Sequence, residues 1–413
     1  MISQGISKKR NIFTTEQWAA LIIGFVLMLL SGLVNGWSIF VEPIEQDLNL
    51  RRQETSLVFT ISLSVSIGGQ MLSGLLARWL KPRYIYWIAA LFSATGFWGT
   101  SFVKGIGGIY FFYGVFSGLA IGMIYNLVLT GVIALFDTNT SLVSGILLMG
   151  FGVGPLVLGV GASFLLKLLG WRSTFAILAI LYAVLLVAAP FLMAPSSEKK
   201  AREKYNVSAG ISTLNMLKSR SYQYFFWWCV MIGSATLILV GHSSLISRDI
   251  GAGFNTASLM TGIISISSGV SRIISGYIAD RWGSNKLKSV LNFCCVVGGV
   301  VVIVSYFFAW LPALGLGYVL MGAANGGNAV YICDFVKENY GGMHYGMNMA
   351  VTNVYMILGS TLGTALAGII KTQNGSYLNA FFVMLVYTVI SVIFSGLLDK
   401  EKKLDQVKLT GQG

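Results

Sequence analysis

The chain has 413 residues, of which 55% are hydrophobic and only 10% are charged. Soluble domains carry about 25% charged residues, so this composition excludes an ordinary soluble protein and favours one that crosses a membrane repeatedly. The net charge of +13 does not indicate a nucleic-acid partner, because its basic residues lie mainly in short segments between apolar runs.

Apolar runs of about 20 residues, each long enough to cross a bilayer, follow one another along the chain. We predict twelve spans, at residues 18–41, 55–77, 84–103, 107–135, 142–166, 171–194, 222–246, 255–279, 289–310, 312–336, 345–370 and 376–398. The first run is too long for a signal-peptide core. The four cysteines lie inside the runs without metal-ligand spacing, so we expect no metal site and no cofactor.

The distribution of basic residues predicts the orientation of the chain. With the N-terminus inside, most of the 28 Lys and Arg residues fall in cytoplasmic segments, as the positive-inside rule requires. We therefore expect cytoplasmic tails at 1–17 and 399–413. The longest polar stretch, 195–221, forms a central cytoplasmic loop between two six-helix bundles at 18–194 and 222–398.

The two halves of the chain resemble each other. The stretch around Gly74 aligns with the stretch around Gly276 at an offset of 202, and 170–181 aligns with 375–386 at an offset of 205. These similar offsets indicate an internal duplication. The duplication pairs Gln70 with Arg272, and a difference of 206 pairs Tyr125 with Tyr331.

Between the eighth and ninth spans the chain reads G-Y-I-A-D-R-W-G, residues 276–283. Its Gly276, Asp280, Arg281 and Gly283 resemble the loop signature G-x-x-x-D-R-x-G of the major facilitator superfamily. The first-half copy lacks the aspartate and the last glycine. The resemblance implies an all-α membrane protein of twelve helices, in which two bundles enclose a central cavity and work by alternating access.

Arg272 interrupts the apolar eighth span, where a cation costs about 2.5–3.5 kcal/mol on insertion scales. Its side chain could snorkel toward the helix end near Asp280, form a structural ion pair, or bind an anionic ligand. Glu42, Asp249, Asp280 and Asp334 all lie near span ends. We therefore favour the anionic ligand.

Other polar residues at mid-membrane depth are candidates for the same site. Amides that faced lipid would lack hydrogen-bond partners, so they are expected to point inward, either to a substrate or to a neighbouring helix. The two tyrosines could pack between helices or donate to a carboxylate. The candidates are Gln70, Tyr125, Tyr331, Asn35, Asn328, Asn353 and Tyr355.

The glycine-rich run MGFGVGPLVLGVGAS, 149–163, contains Gly154 and Pro155. It resembles a fifth-span motif of antiporters in the superfamily. We favour close helix packing over direct ligand contact for its glycines, while the bend at Pro155 could matter for rocking of the halves. The sequence has no nucleotide-binding loop, no pair of catalytic carboxylates and no nucleophile triad, so we expect no enzymatic activity.

An arginine in the eighth span with tyrosines in the fourth and tenth resembles the oxalate/formate antiporters and the monocarboxylate transporters. The resemblance implies that Arg272 binds the substrate carboxylate and that Tyr125 and Tyr331 cage it. Dicarboxylate exchangers of that family carry a lysine in the eleventh span, where this chain has Asn353 and Tyr355. A single buried cation favours a substrate with one carboxylate.

The sequence thus predicts a secondary carrier of a small carboxylate such as lactate, pyruvate or formate. We expect a multi-pass monomer in the lipid bilayer of the plasma membrane, in a bacterium the inner membrane. Protons or a counter-anion remain alternatives for the coupled species. Alternative functions are an oxalate/formate-type exchanger, a proton-driven drug exporter and a nutrient sensor that does not transport.

Overall fold

The computed structural model describes residues 13–193 and 210–410. These residues are almost entirely helical, and within them the one isolated β-bridge joins Gly210 to Gly341. Residues 1–12, 194–209 and 411–413 lie outside the described part of the chain. They contain most of the predicted N-terminal tail, much of the predicted central loop and the end of the predicted C-terminal tail.

The first half of the chain forms seven α-helices. They are α1 Thr15–Gly32, α2 Ser38–Leu48, α3 Arg52–Leu76, α4 Pro82–Ser101, α5 Ile106–Ile109, α6 Gly118–Ile133 and α7 Thr140–Leu192. A 3-10 turn over Leu33–Gly36 joins α1 to α2, and a π-helical stretch over Tyr110–Ser117 joins α5 to α6. Gly170 has a non-helical backbone with φ of 75°, so α7 is kinked between the predicted fifth and sixth spans.

The second half repeats this pattern after the central loop. Its helices are α8 Thr213–Lys218, α9 Arg220–Asp249, α10 Phe254–Trp282, α11 Ser284–Phe307, α12 Leu311–Tyr340, α13 Tyr345–Thr352, α14 Tyr355–Ser360, α15 Leu366–Asn374 and α16 Leu378–Thr410. A π-helical stretch over Thr361–Ala365 joins α14 to α15. The predicted eleventh span is therefore interrupted between Thr352 and Tyr355.

Helices occupy all twelve predicted spans, which agrees with an all-α membrane protein. Within the described ranges, nine helical segments are both long enough and apolar enough to cross a membrane, and the kinked α7 is the longest at 53 residues. The count of twelve membrane crossings and the cytoplasmic position of both termini remain predictions.

The duplication is visible in how the helices pack. In the first half, Gly122 of α6 lies directly against the main-chain oxygen of Ser66 in α3, and in the second half Gly326 of α12 lies against that of Ser268 in α10. A side chain at either glycine would collide with that carbonyl, so both crossings require glycine. The two contacts are related by offsets of 204 and 202 residues.

The halves contact each other at one end of the molecule, which we call the closed end. There Gly276 of α10 packs against Ser141 at the start of α7, and Gly74 of α3 packs against the backbone at Gly346 and Met347 of α13. The two contacts are equivalent under the duplication. Each joins one half to the other through a glycine: an added Cβ atom would collide with the Ser141 carbonyl at Gly276 and would be crowded by the backbone at Gly74, 3.0 Å from the Met347 nitrogen.

Candidate functional site around Arg272

Arg272 joins the two halves. Its guanidinium Nη1 donates a hydrogen bond to the main-chain oxygen of Leu148 in α7, while its buried Nε has no partner. A Cβ atom at Gly152 would collide with the guanidinium, so that glycine provides the room for it. The side chain thus reaches across to α7 instead of snorkelling toward Asp280, and no salt bridge to Arg272 occurs within residues 13–193 and 210–410.

Aromatic residues lie next to this arginine. Tyr125 of α6 and Tyr355 of α14 are close enough to interact electrostatically with Arg272. The Tyr125 ring packs edge-on against Phe151 of α7, with 5.2 Å between ring centroids. Tyr355 has room beside Gly233 of α9, where an added Cβ would approach the ring at 3.3 Å. The structure therefore brings two predicted site residues, Tyr125 and Tyr355, to Arg272.

Gln70 and Asn353 are bonded to each other. The Asn353 Nδ2 donates to the Gln70 Oε1 at 2.6 Å, and both side chains are buried. Asn126 of α6 reinforces the contact, because its Nδ2 donates to the main-chain oxygens of Gln70 at 2.6 Å and Gly346 at 3.1 Å. Gln70 and Asn353, two of the amides that were predicted to point inward, are thus bonded to neighbouring helices.

This amide pair is the duplicated equivalent of the arginine contact. Gln70 aligns with Arg272 at an offset of 202, and Leu148 aligns with Asn353 at an offset of 205. Both pairs join one half of the molecule to the other. At equivalent positions the protein therefore carries one neutral bridge and one cationic bridge, and the cation is the one whose charge is not balanced by a described carboxylate.

Tyr331 lies in different surroundings from Tyr125. It is fully buried among Phe225, Trp228 and Phe335, and its hydroxyl has no partner. The predicted pairing of the two tyrosines by symmetry is wrong, because the offset between α6 and α12 is 204 residues and the equivalent of Tyr125 is Ala329. Tyr331 is two residues beyond Ala329, and two residues correspond to a rotation of about 200° around a helix, so the two side chains lie on nearly opposite faces. A role of Tyr331 in substrate binding stays a prediction.

The two remaining amide candidates are not hydrogen-bonded to Arg272. Asn35 is exposed in the 3-10 turn between α1 and α2. Asn328 is buried near Gly233, and its Oδ1 lacks a partner. Their places in the binding site stay predictions.

Sequence reasoning missed several neighbours of the arginine, among them Gly152, Phe151 and the carbonyl of Leu148. The alternating glycines at 150, 152 and 154 were the only signal, and they do not reveal which of the three faces the other half. A polar chain ends near Arg272, because Asn325 accepts from Thr236 and donates to Ser268, each at 3.2 Å. Ser268 precedes Arg272 by one helical turn.

The signature residues lie at the closed end. The Asp280 carboxylate accepts hydrogen bonds from the backbone N–H groups of Ser141 at 3.1 Å and Leu142 at 2.7 Å, in the first turn of α7. A carboxylate is stabilised there by unpaired N–H groups and the helix dipole. Gly283, with φ of 85°, ends α10, and exposed Arg281 stacks on Trp282.

Asp334 of α12 adds a second bond between the halves. Its buried carboxylate accepts from the Ser141 hydroxyl of the other half at 2.5 Å and from the Ser284 hydroxyl at 3.4 Å. The start of α7 is thus held by two carboxylates of the second half. Sequence analysis located Asp334 near a span end but gave no indication of this contact.

Gly154 and Pro155 belong to the packing of the first half. A Cβ atom at Gly154 would collide with the backbone of α1 at Leu29 and approach Gly32, which agrees with close helix packing. Pro155 lies inside α7 and directly follows Gly154, the last of the three alternating glycines that face α1 and Arg272.

Two similar helical halves that meet around a partly buried cation define a multi-pass membrane transporter. The chain matches the Major Facilitator Superfamily over residues 20–354 and 228–412. It belongs to this superfamily, whose members are transporters and not enzymes.

Named relatives and a solved structure agree with this assignment. The chain is 23% identical over 365 residues to the "Oxalate:formate antiporter" of Oxalobacter formigenes, with 85% of each chain covered. It is 27% identical over 387 residues to "Monocarboxylate transporter 10" of Danio rerio, covering 87% of this chain and 75% of the relative. The proton:xylose symporter XylE has the same fold, with a TM-score of 0.71 at 13% identity, covering 93% of this chain and 95% of that one.

Proposed function

We propose that this protein is a secondary active carrier of a small organic monocarboxylate, such as lactate, pyruvate or formate. The observation that carries the proposal is Arg272, a cation between the halves with two tyrosines beside it and no carboxylate paired to it in the described ranges. The names of the two relatives support an organic anion as the substrate. Both tyrosine hydroxyls can donate to a carboxylate.

In this proposal the substrate carboxylate competes with the Leu148 carbonyl for the guanidinium. A carboxylate is the better partner, because a charge-assisted bidentate pair is stronger than a bond to a neutral oxygen. The bound anion neutralises Arg272, which favours closure of both halves around the site. Without the anion, the uncompensated cation resists transfer into a closed apolar cavity.

One cation in the site supports a monocarboxylate over a dicarboxylate. The eleventh-span position that bears the second cation in dicarboxylate exchangers is occupied by Asn353 and Tyr355, and Asn353 is already bonded to Gln70. Exchange of two small monoanions is the second candidate, favoured by the similarity to the oxalate:formate antiporter over most of both chains. Acceleration of uptake by a carboxylate inside the vesicle would separate exchange from proton symport.

The proposal includes the arrangement in the membrane. Twelve crossings form two bundles, 18–194 and 222–398, with both termini and the loop 195–221 in the cytoplasm of a bacterial cell, and the closed end faces that cytoplasm. The support is the positive-inside distribution of charge and the equivalent packing of Gly122 and Gly326 in the two halves. Cysteine labelling of the tails in intact and permeabilised cells tests this orientation.

Replacement of Arg272 by glutamine tests the binding role. We expect Arg272→Gln to abolish uptake of labelled lactate, pyruvate and formate into proteoliposomes and to remove the thermal stabilisation by these ligands. Arg248→Gln is the matched control, because Arg248 is an exposed arginine at the end of α9. Unimpaired carboxylate uptake by a folded Arg272→Gln protein contradicts the proposal. If the wild-type protein binds these carboxylates but shows no counterflow of labelled substrate, it is a sensor and not a transporter.

A further inference from the structure

A groove runs along α7 on the side of Arg272 away from the closed end. It has a volume of about 470 Å³ and an opening to the outside of the protein. We call it the α7 groove. It is lined by Ile39, Pro155, Leu156, Gly159, Val160, Ser163, Phe164 and Lys167.

The α7 groove continues the helix face that touches the other half. Gly145 and Gly152 of this face contact the backbone and the guanidinium of Arg272. Gly159 follows Gly152 by seven residues, the interval that separates Gly145 from Gly152, and residues seven apart lie only about 20° from each other around a helix. Ser163 is one turn further on. The groove therefore lies on the same face of α7 as the contact with Arg272, and it begins at Pro155, about one turn beyond Gly152.

Lys167 is the one charged side chain that lines this groove. It is exposed, and no salt bridge to it occurs in the described part of the chain. Two other cations of the same end are neutralised, since Arg172 pairs with Asp47 and Lys371 pairs with Asp249. Lys167 lies fifteen residues beyond Gly152, or about 22 Å along the helix axis at 1.5 Å per residue.

We propose that Lys167 is an anion-collecting site that guides the carboxylate substrate through the α7 groove to Arg272. The inference rests on the proposed function. An unpaired cation beside low-dielectric walls concentrates its field in the groove and raises the local concentration of anions. The other residues that line the groove carry no charge, so none of them cancels the field of Lys167. The anion meets a second, deeper cation when it reaches Arg272.

The experiment compares Lys167→Gln with wild type in proteoliposomes at low and high ionic strength. Initial uptake of labelled lactate, pyruvate and formate is measured below saturation in 10 mM and in 1 M potassium chloride, where the Debye length is about 30 Å and about 3 Å. We expect uptake by Lys167→Gln to be about threefold slower at 10 mM and equal to wild type at 1 M. The maximal rate should not change.

Lys104→Gln is the matched control, because Lys104 is an exposed lysine of the first half that does not line the groove. It should transport like wild type at both ionic strengths. Charge reversal in Lys167→Glu should slow subsaturating uptake further at 10 mM, and this effect too should vanish at 1 M.

Two outcomes overturn the inference and leave the proposed function intact. One is equal uptake by wild type and Lys167→Gln at 10 mM. The other is a loss of the same size at both ionic strengths, which would assign Lys167 to helix packing and not to an electrostatic role. If wild type takes up none of the three anions, the proposed function fails first and the inference fails with it.

Discussion

Substituting Gly152 by alanine places a methyl group where the guanidinium of Arg272 lies. An added Cβ would overlap the Nη1 atom and approach Cζ to 2.8 Å. The guanidinium is the end of a flexible side chain and can move, but it must then give up its bond to the Leu148 carbonyl. A hydrogen bond made by a charged group contributes about 1.5–3 kcal/mol, whereas replacing a helical glycine by alanine gains up to about 1 kcal/mol.

The net effect of Gly152→Ala is therefore a destabilisation of about 0.5–2 kcal/mol. The control is Gly161→Ala in the same helix, because an added Cβ there meets no atom within 4 Å. Thermal unfolding of the purified proteins should show Gly161→Ala as stable as wild type or more stable, and Gly152→Ala as less stable. Because the substrate carboxylate competes with the Leu148 carbonyl for the guanidinium in the proposed function, loss of that bond should lower the half-saturating carboxylate concentration for Gly152→Ala alone, by about tenfold for each 1.4 kcal/mol that the bond contributes.

Equal behaviour of the two alanine variants would refute this reasoning. If Gly152→Ala unfolds at the temperature of Gly161→Ala and transports with the same half-saturation, the guanidinium does not need the space beside α7. A loss of stability with unchanged carboxylate affinity would separate the bridging role of Arg272 from its proposed binding role.

Two further measurements test contacts away from the arginine. Gln70→Ala and Asn353→Ala should each destabilise the protein. The double variant should be less destabilised than the sum of the two single effects, by about 0.6–1.7 kcal/mol, as for hydrogen bonds between membrane helices. Strict additivity of the two effects would contradict the bond between these residues. Hydrogen bonding to Arg172 lowers the pKa of Asp47 in the folded protein. The ionised Asp47 therefore stabilises the fold fully above its unfolded pKa of about 3.9, and this stabilisation is lost as the pH falls through the lowered folded pKa. Asp47→Asn should therefore unfold at a lower temperature than wild type at pH 7 and at the same temperature once the pH is below both pKa values, and a difference that persists at that acidic pH would contradict this account.

Much of the fold follows from the sequence because the membrane imposes local constraints. Backbone groups in hydrocarbon must be satisfied within the segment, so long apolar runs become helices. The predicted all-helical class and the superfamily are confirmed. The loop signature located Gly276 and Asp280 at a junction, since a glycine and a carboxylate at a helix end have few alternative uses.

The candidate site was only partly predictable. A cation within an apolar run identifies Arg272 without any knowledge of its neighbours, because transferring a charge into hydrocarbon is unfavourable in every context. Composition does not reveal where the side chain points. The choice between snorkelling and bridging depended on Gly152 and Leu148, which are unremarkable residues in sequence.

The sequence by itself determined the duplication, from its repeated offsets, and it determined the helices and the cation within an apolar run, which depend on the transfer of groups between water and hydrocarbon. Only the tertiary structure decided which polar residues meet. Gln70 and Asn353, 283 residues apart, bond to each other, while Tyr331 turns away from the arginine because α12 is offset by 204 residues and not 206. Contacts between helices depend on helix rotation, and a shift of two residues reverses the face that a side chain occupies.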